Sequence, residues 1–140
     1  MMQRAMRLPV TVLLLAACGH PPPAKPVAAE RPVRAVADIA GRWLTSDDLD
    51  WAYTLALDPS GTIDLVIDRN KMGRCEEKGK LAPAAPPSFQ LTYERNDCNR
   101  EYAGAQLQLK VASFTGDSLT IVITGYGSEE KHVFTRAPVQ

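Results

Sequence analysis

The sequence predicts an all-β chain, folded as a small antiparallel up-and-down barrel of about eight strands. Three observations lead there. Apolar residues recur at every second position in segment after segment from Ile39 onward, short turns rich in Gly, Pro and Asp separate those segments, and no segment sustains a helical period. Closing the sheet on itself buries the apolar face of every strand and removes the exposed edges. An open sandwich is the alternative.

The elements follow in order. A short helical turn is expected near Val36 to Ala40, then a first strand over Gly41 to Thr45. Tyr53, Leu55 and Leu57 alternate with Ala52, Thr54 and Ala56. Asp58-Pro59-Ser60-Gly61 supplies a tight turn, because proline presets φ at its second position and glycine accepts positive φ at its end. Ile63, Leu65 and Ile67 then alternate with Thr62, Asp64 and Asp68, which completes a hairpin. A fourth strand is expected near Cys75 to Leu81, and Phe89, Leu91 and Tyr93 repeat the period of two. Leu107, Leu109 and Val111 alternate with Gln106, Gln108 and Lys110, and Thr115-Gly116-Asp117 turns the chain into Leu119, Ile121 and Ile123. Gly125-Tyr126-Gly127-Ser128 turns it again into a last strand, about Lys131 to Arg136. The Pro-rich stretch Ala82 to Pro87 and the polar stretch Arg95 to Gly104 are irregular.

A chain of 140 residues has room for one such domain. Basic and acidic side chains number 16 each, so no strong field favours nucleic acid or another highly charged partner. The organisation divides into residues 1–17, a linker over 18–37, and the barrel over 38–137. Pro21, Pro22, Pro23, Pro26 and Pro32 sit in the linker among alanines and scattered charges. Such a stretch extends at ~3.1 Å per residue and holds the domain up to roughly 60 Å from its attachment point. Lys25, Arg31 and Arg34 are candidates for contact with anionic headgroups, although Glu30 among them favours a solvated linker.

Arg4 and Arg7 form a positive leader, and Leu8 through Ala17 give an apolar run broken only by Pro9 and Thr11. That run is too short for ~30 Å of hydrocarbon, which takes roughly 20 apolar residues; it fits the hydrophobic region of a signal peptide. Its end, Leu15-Ala16-Ala17-Cys18, resembles the lipobox of bacterial lipoproteins. The resemblance implies cleavage before Cys18, a diacylglyceryl group on its thiol and acylation of the new amine, the palmitate-type chains anchoring the protein to a membrane. Two or three acyl chains give the stable attachment that a single chain does not. Gly19 stands where enterobacterial lipoproteins kept in the inner membrane carry Asp, which favours the outer membrane. With Arg4 and Arg7 removed, the mature chain leans slightly acidic.

Lipidation takes Cys18 out of a count of three cysteines and leaves Cys75 and Cys98. In an oxidising envelope these two are expected to pair. Closing their loop of roughly 24 residues stabilises the fold by about 3 kcal/mol on the chain-entropy model. A metal site of Cys75, Cys98 and His132 is the rival reading, but it lacks both a C-x-x-C pair and a fourth ligand.

Ile39-Ala40-Gly41-Arg42-Trp43 resembles the G-x-W opening of the first strand in lipocalins and their calycin relatives. The resemblance spans roughly residues 39–136. It implies an eight-stranded barrel closed at one end by Trp43, with Arg136 of the last strand packed across the indole as a structural pair. A guanidinium over an indole face is a favourable cation–π arrangement. Trp43 as a plain core aromatic of some other small barrel is the alternative.

No G-x-S-x-G, H-E-x-x-H or P-loop is present, and the expected domain holds one histidine, His132. Asp47, Asp48 and Asp50 lack calcium-loop spacing and read as a solvated loop or caps. Neither catalysis, a cofactor nor a metal is therefore expected. The inward set is Leu55, Leu57, Ile63, Leu65, Ile67, Phe89, Leu91, Leu107, Leu109, Leu119, Ile121, Ile123 and Phe134. All of these except Ile67 and Leu119 are candidate lining for a small hydrophobic molecule or lipid, should the interior stay open rather than pack solid. The expected function is that of a membrane-anchored, non-enzymatic envelope lipoprotein with such a ligand. The alternative is a protein-binding envelope module acting through loops at 45–52, 69–74 and 95–104, with Trp51 and Tyr102 as exposed anchors.

Overall fold

Period-two alternation becomes eight antiparallel strands in the computed structural model, which describes residues 19 and 28–139. They are β1 Gly41–Ser46, β2 Ala52–Leu57, β3 Thr62–Asp68, β4 Arg74–Pro83, β5 Ser88–Asn96, β6 Gln106–Phe114, β7 Ser118–Gly125 and β8 Ser128–Arg136. Each pairs with its neighbours in sequence, and β8 closes on β1 through Trp43 opposite Arg136 and Leu44 opposite Thr135. The closed barrel excludes the open sandwich and is consistent with a calycin-like fold.

Several strands run further than the apolar alternation suggested, β5 and β8 among them. β5 continues to Asn96, and β8 starts at Ser128, opposite Gly125 of β7 and three residues before the expected start at Lys131. Polar residues occupy both faces there because one face meets solvent and the other meets the open end of the barrel. The hydrophobic signal therefore stops before the strand does.

The interior below that end is packed. Leu55, Leu91, Leu109, Leu119, Ile121 and Phe134 are at most 1 % exposed, so neither solvent nor a water-sized void lies beside them. Eight strands give an interior just wide enough for such side chains to fill. Gly79 marks where the wall tightens at a bulge between Lys78 and Gly79. A Cβ there would lie 2.6 Å from the Thr92 carbonyl oxygen, so only glycine fits.

One end is plugged. Trp43 is fully buried, meets Phe114 edge-on at 6.1 Å between ring centroids, and donates its indole N–H to the Ile39 carbonyl at 3.0 Å. The Arg136 guanidinium lies 4.2 Å from the indole centroid. It donates to the carbonyls of Gly116 at 2.6 Å and Ala40 at 3.3 Å. Gly41, with φ +134°, is where it passes; a Cβ would sit 2.7 Å from Arg136 Nη1. Val33, Val36 and Ile39 cover the plug, the last two from a single 3₁₀ turn, Val36–Ile39.

That cover corrects the linker boundary at residue 37. Arg31 donates its backbone N–H to the Phe114 carbonyl at 2.6 Å, and Ser113 Oγ donates to Glu30 at 3.0 Å. Residues 30–37 thus belong with the barrel. Two valines in a Pro-rich stretch are too few to show a period, which is why they read as linker. Residues 1–18, including Cys18, lie outside the described residues.

Arg136→Met keeps the apolar stem and removes the charge and both carbonyl bonds. Leaving those acceptors unpaired should cost about 2–3 kcal/mol of unfolding free energy in urea denaturation. A loss under about 0.5 kcal/mol, the usual effect of an inconsequential surface change, would show that the clamp is unimportant.

Candidate functional site

At the opposite end the strands are joined by the segments 47–51, 69–73, 97–105 and 126–127. They surround a pocket of about 480 Å³ that opens to solvent. Its floor includes Leu65, Ile67, Leu107 and Ile123; its walls include Trp51, Tyr53, Tyr93 and Tyr102, together with Asp47, Glu77, Glu130 and His132. The volume is within the range of small-molecule sites.

The polar residues reach the pocket by strand parity. Glu77 continues the inward positions Cys75 and Leu81 on β4, and Glu130 and His132 continue Phe134 on β8. The carboxylate of Glu77 accepts from Asn96 Nδ2 and from the Tyr93 hydroxyl, both at 3.2 Å. Asn96 is itself buried, and its side-chain oxygen accepts from the backbone N–H of Asn99 at 2.7 Å. One amide therefore joins the wall to the loop after β5. The Cys75–Cys98 disulfide ties that same loop to β4, and with both thiols so joined the metal reading of Cys75, Cys98 and His132 fails.

Asp47 organises the loop between β1 and β2. One oxygen accepts from the N–H groups of Leu49 and Trp51, both at 2.9 Å, and the other from the Tyr53 hydroxyl at 2.8 Å. Asp48 and Asp50 are exposed on the loop that Asp47 closes. His132 packs its ring 5.2 Å from that of Tyr53, with Nε2 3.6 Å from Glu130. Tyr102 stacks on Tyr126 at 5.7 Å.

These contacts set the protonation equilibria. Burial pushes the Glu77 carboxyl above the ordinary glutamate range, and the charge of Glu130 adds to that. Bonds from Asn96 and Tyr93 and the nearby His132 pull part of the way back. Glu130 is held below its ordinary value, chiefly by the imidazole of His132. Burial opposes ionisation of Asp47 too, but its three hydrogen bonds outweigh that and lower it. Tyr53 is pushed up to about 12, by burial first and then by Asp47. Burial, then Glu77, likewise raise Tyr93.

The candidate lining residues divide. Leu65, Leu107 and Ile123 form part of the pocket floor. Leu55, Leu57, Ile63, Leu91, Leu109, Ile121 and Phe134 are packed in the barrel below it, and buried Phe89 borders a shallow groove with Gln90 and Gln106 instead. The polar residues Glu77, Asn96 and Glu130 escape a reading that takes apolar character as the mark of an inward position, and Tyr93, though on the alternation of β5, was not placed in the inward set. Extending the parity of Leu81 and Phe134 toward the strand ends would have found two of them. Comparison with protein-family models, with curated proteins and with solved structures found no match to the chain.

In a ¹³C NMR titration of the carboxyl groups, Glu77 should show a midpoint above the ordinary glutamate value, and Glu130 one below it. Since the folded value of Glu77 is raised, its stabilising contribution is fully present below the unfolded value and is lost as pH rises through the folded one. A Glu77 midpoint below that of Glu130 would contradict the geometry.

Proposed function

We propose that the protein is a lipid-anchored, non-enzymatic binding protein of the bacterial cell envelope, taking a small molecule in the mouth of its barrel. The observation that carries this reading is the open pocket of about 480 Å³ with an apolar floor and aromatic walls. A lipid threaded into the interior is less well supported, since the lower barrel is filled by its own side chains. The ligand's apolar portion rests on Leu65, Leu107 and Ile123, and its polar portion meets the rim.

The protein-partner reading requires exposed aromatic anchors at the loops. Trp51 and Tyr102 are instead partly buried and line the pocket, which favours a small ligand over a flat protein surface. The non-enzymatic reading is supported by Ser128, which borders the pocket but whose hydroxyl donates to the Gly125 carbonyl rather than to His132.

The envelope assignment rests on the lipobox-like Leu15-Ala16-Ala17-Cys18, and Gly19 favours an outer-membrane site facing the periplasm. The chain meets the barrel at the plugged end, opposite the mouth, so a lipid at Cys18 would be joined to the protein at the end away from the pocket. With residues 30–37 held against the barrel, the remaining reach from Cys18 is roughly 40 Å at ~3.1 Å per residue.

Two measurements test this. The chain from Gly19 on, exposed to envelope extracts and weighed by native mass spectrometry, should retain a small molecule, and Ile123→Trp should displace it by filling the floor. An empty chain would end the carrier reading. Separately, Cys18→Ala should leave an uncleaved precursor without lipid; unchanged processing and acylation in that variant would overturn the lipoprotein assignment.

A further inference from the structure

We propose that the mouth takes an organic cation, with an ammonium group held between the Glu77 carboxylate and the aromatic faces of Trp51, Tyr53 and Tyr93. This rests on the reading of the mouth as a small-molecule site and names the chemistry of its ligand.

The charge balance of the wall comes first. Glu77 sits in the wall with its oxygens occupied by two neutral donors, Asn96 and Tyr93. Among the described residues, no lysine or arginine forms an ion pair with it. Glu77 is half-buried, and a carboxylate that has lost part of its water gains from an opposite charge brought beside it. Asp47 and Glu130 add negative charge around the same space, and the lysine beside it, Lys131, is exposed on the rim. An anionic ligand would face three carboxylates. A neutral hydroxylated one would suit the aromatic rings and leave the charge of Glu77 unpaired.

The hydrogen-bond inventory points the same way. The Tyr93 hydroxyl spends its proton on Glu77 and the Tyr53 hydroxyl spends its proton on Asp47. Both phenolic oxygens retain acceptor capacity only, as the carboxylates do. Trp51, His132, Asn99 and Lys131 bring donors elsewhere on the lining, but the side formed by Glu77, Tyr93, Tyr53 and Asp47 offers acceptors and calls for a ligand that brings donors. An ammonium has three and no acceptor.

The aromatic rings supply the remaining attraction. A cation within about 6 Å of an indole or phenol face is drawn by the ring quadrupole, more strongly where water is excluded. The pocket is larger than an ammonium group, so the ligand carries an apolar body that reaches Leu65, Leu107 and Ile123 on the floor.

Isothermal titration calorimetry on the chain from Gly19 on, at neutral pH, tests this with three compounds of similar shape. These are 2-phenylethylammonium, 2-phenylethanol and 3-phenylpropanoate. The ammonium should bind at least about tenfold more tightly than the alcohol, and the carboxylate more weakly than either. Glu77→Gln should bring the ammonium down to the affinity of the alcohol and leave the alcohol unchanged. Glu130→Gln, on the exposed rim where the fold tolerates it, should weaken the ammonium by a smaller factor. An ammonium that binds no better than the alcohol, or not at all, overturns the cation assignment, as does a preference that survives Glu77→Gln. Equal binding of ammonium and alcohol leaves the mouth as a small-molecule site, whereas a chain that emerges empty from envelope extracts removes that reading as well.

Discussion

The seam between the last strand and the first is what the rest of the barrel depends on. β1 shares six residue pairs with β2 and only two with β8. A seam that short leaves few backbone hydrogen bonds to hold it, and its opening would expose two sheet edges. Arg136 makes up the difference. Its side chain spans the indole of Trp43, the carbonyl before β1 at Ala40, and the carbonyl in the β6–β7 turn at Gly116. One guanidinium thus links β8 to the start of β1 and to the β6–β7 turn, and its planar fork suits two carbonyls and a ring face in a way an ammonium does not. Glycine at position 41 is part of the same device, since any Cβ would occupy the space of Nη1.

Plugging one end determines what the other can be. Trp43, Phe134 and Ile39 fill the lower barrel, and aliphatic layers continue upward from them. Toward the mouth the inward positions change to Tyr53, Tyr93, Glu77 and His132, which are polar; Tyr53 donates to Asp47, Tyr93 and Asn96 donate to Glu77, and His132 packs its ring on Tyr53. The free volume collects above them. Glu77 is a burden on stability, because its ionised form is unfavourable where it sits. Gln at that position would still accept from Asn96 and Tyr93 and would carry no charge to desolvate. A residue that works against folding while facing a pocket is better understood through binding than through packing.

The barrel was legible in the sequence wherever one face of a strand is apolar and the other polar. β2, β3, β6 and β7 follow their alternation closely, and the G-x-W opening with Arg136 near the end marked the seam. Three features were not legible, each for a physical reason. The start of β8 and the end of β5 are polar on both faces, so periodicity carries no signal there. Val33 and Val36 pack against a barrel formed entirely by residues that come later in the chain, and nothing local distinguishes them from linker. The site itself was missed because its inward residues are Glu, His, Tyr and Asn, and hydropathy assigns such residues to the surface. The apolar set named the core correctly while naming only the floor of the pocket.

The mouth is also prepared in advance of any ligand. Asp47 fixes the β1–β2 loop from within, Asn96 joins the β5–β6 loop to Glu77, and the Cys75–Cys98 bridge holds that loop against β4. Tyr102 is further steadied by its stack on Tyr126 from the β7–β8 turn. Loops left free would have to be ordered by the ligand, at about 0.5–1.5 kcal/mol for each immobilised side chain. Here the protein's own hydrogen bonds order those loops, so a ligand of the kind proposed would not have to. At the mouth these bonds and the disulfide add to the packing of Tyr53 and Tyr93 in the core. Stability at the plugged end comes from burial around Trp43, and definition at the mouth comes from directed hydrogen bonds and a covalent link.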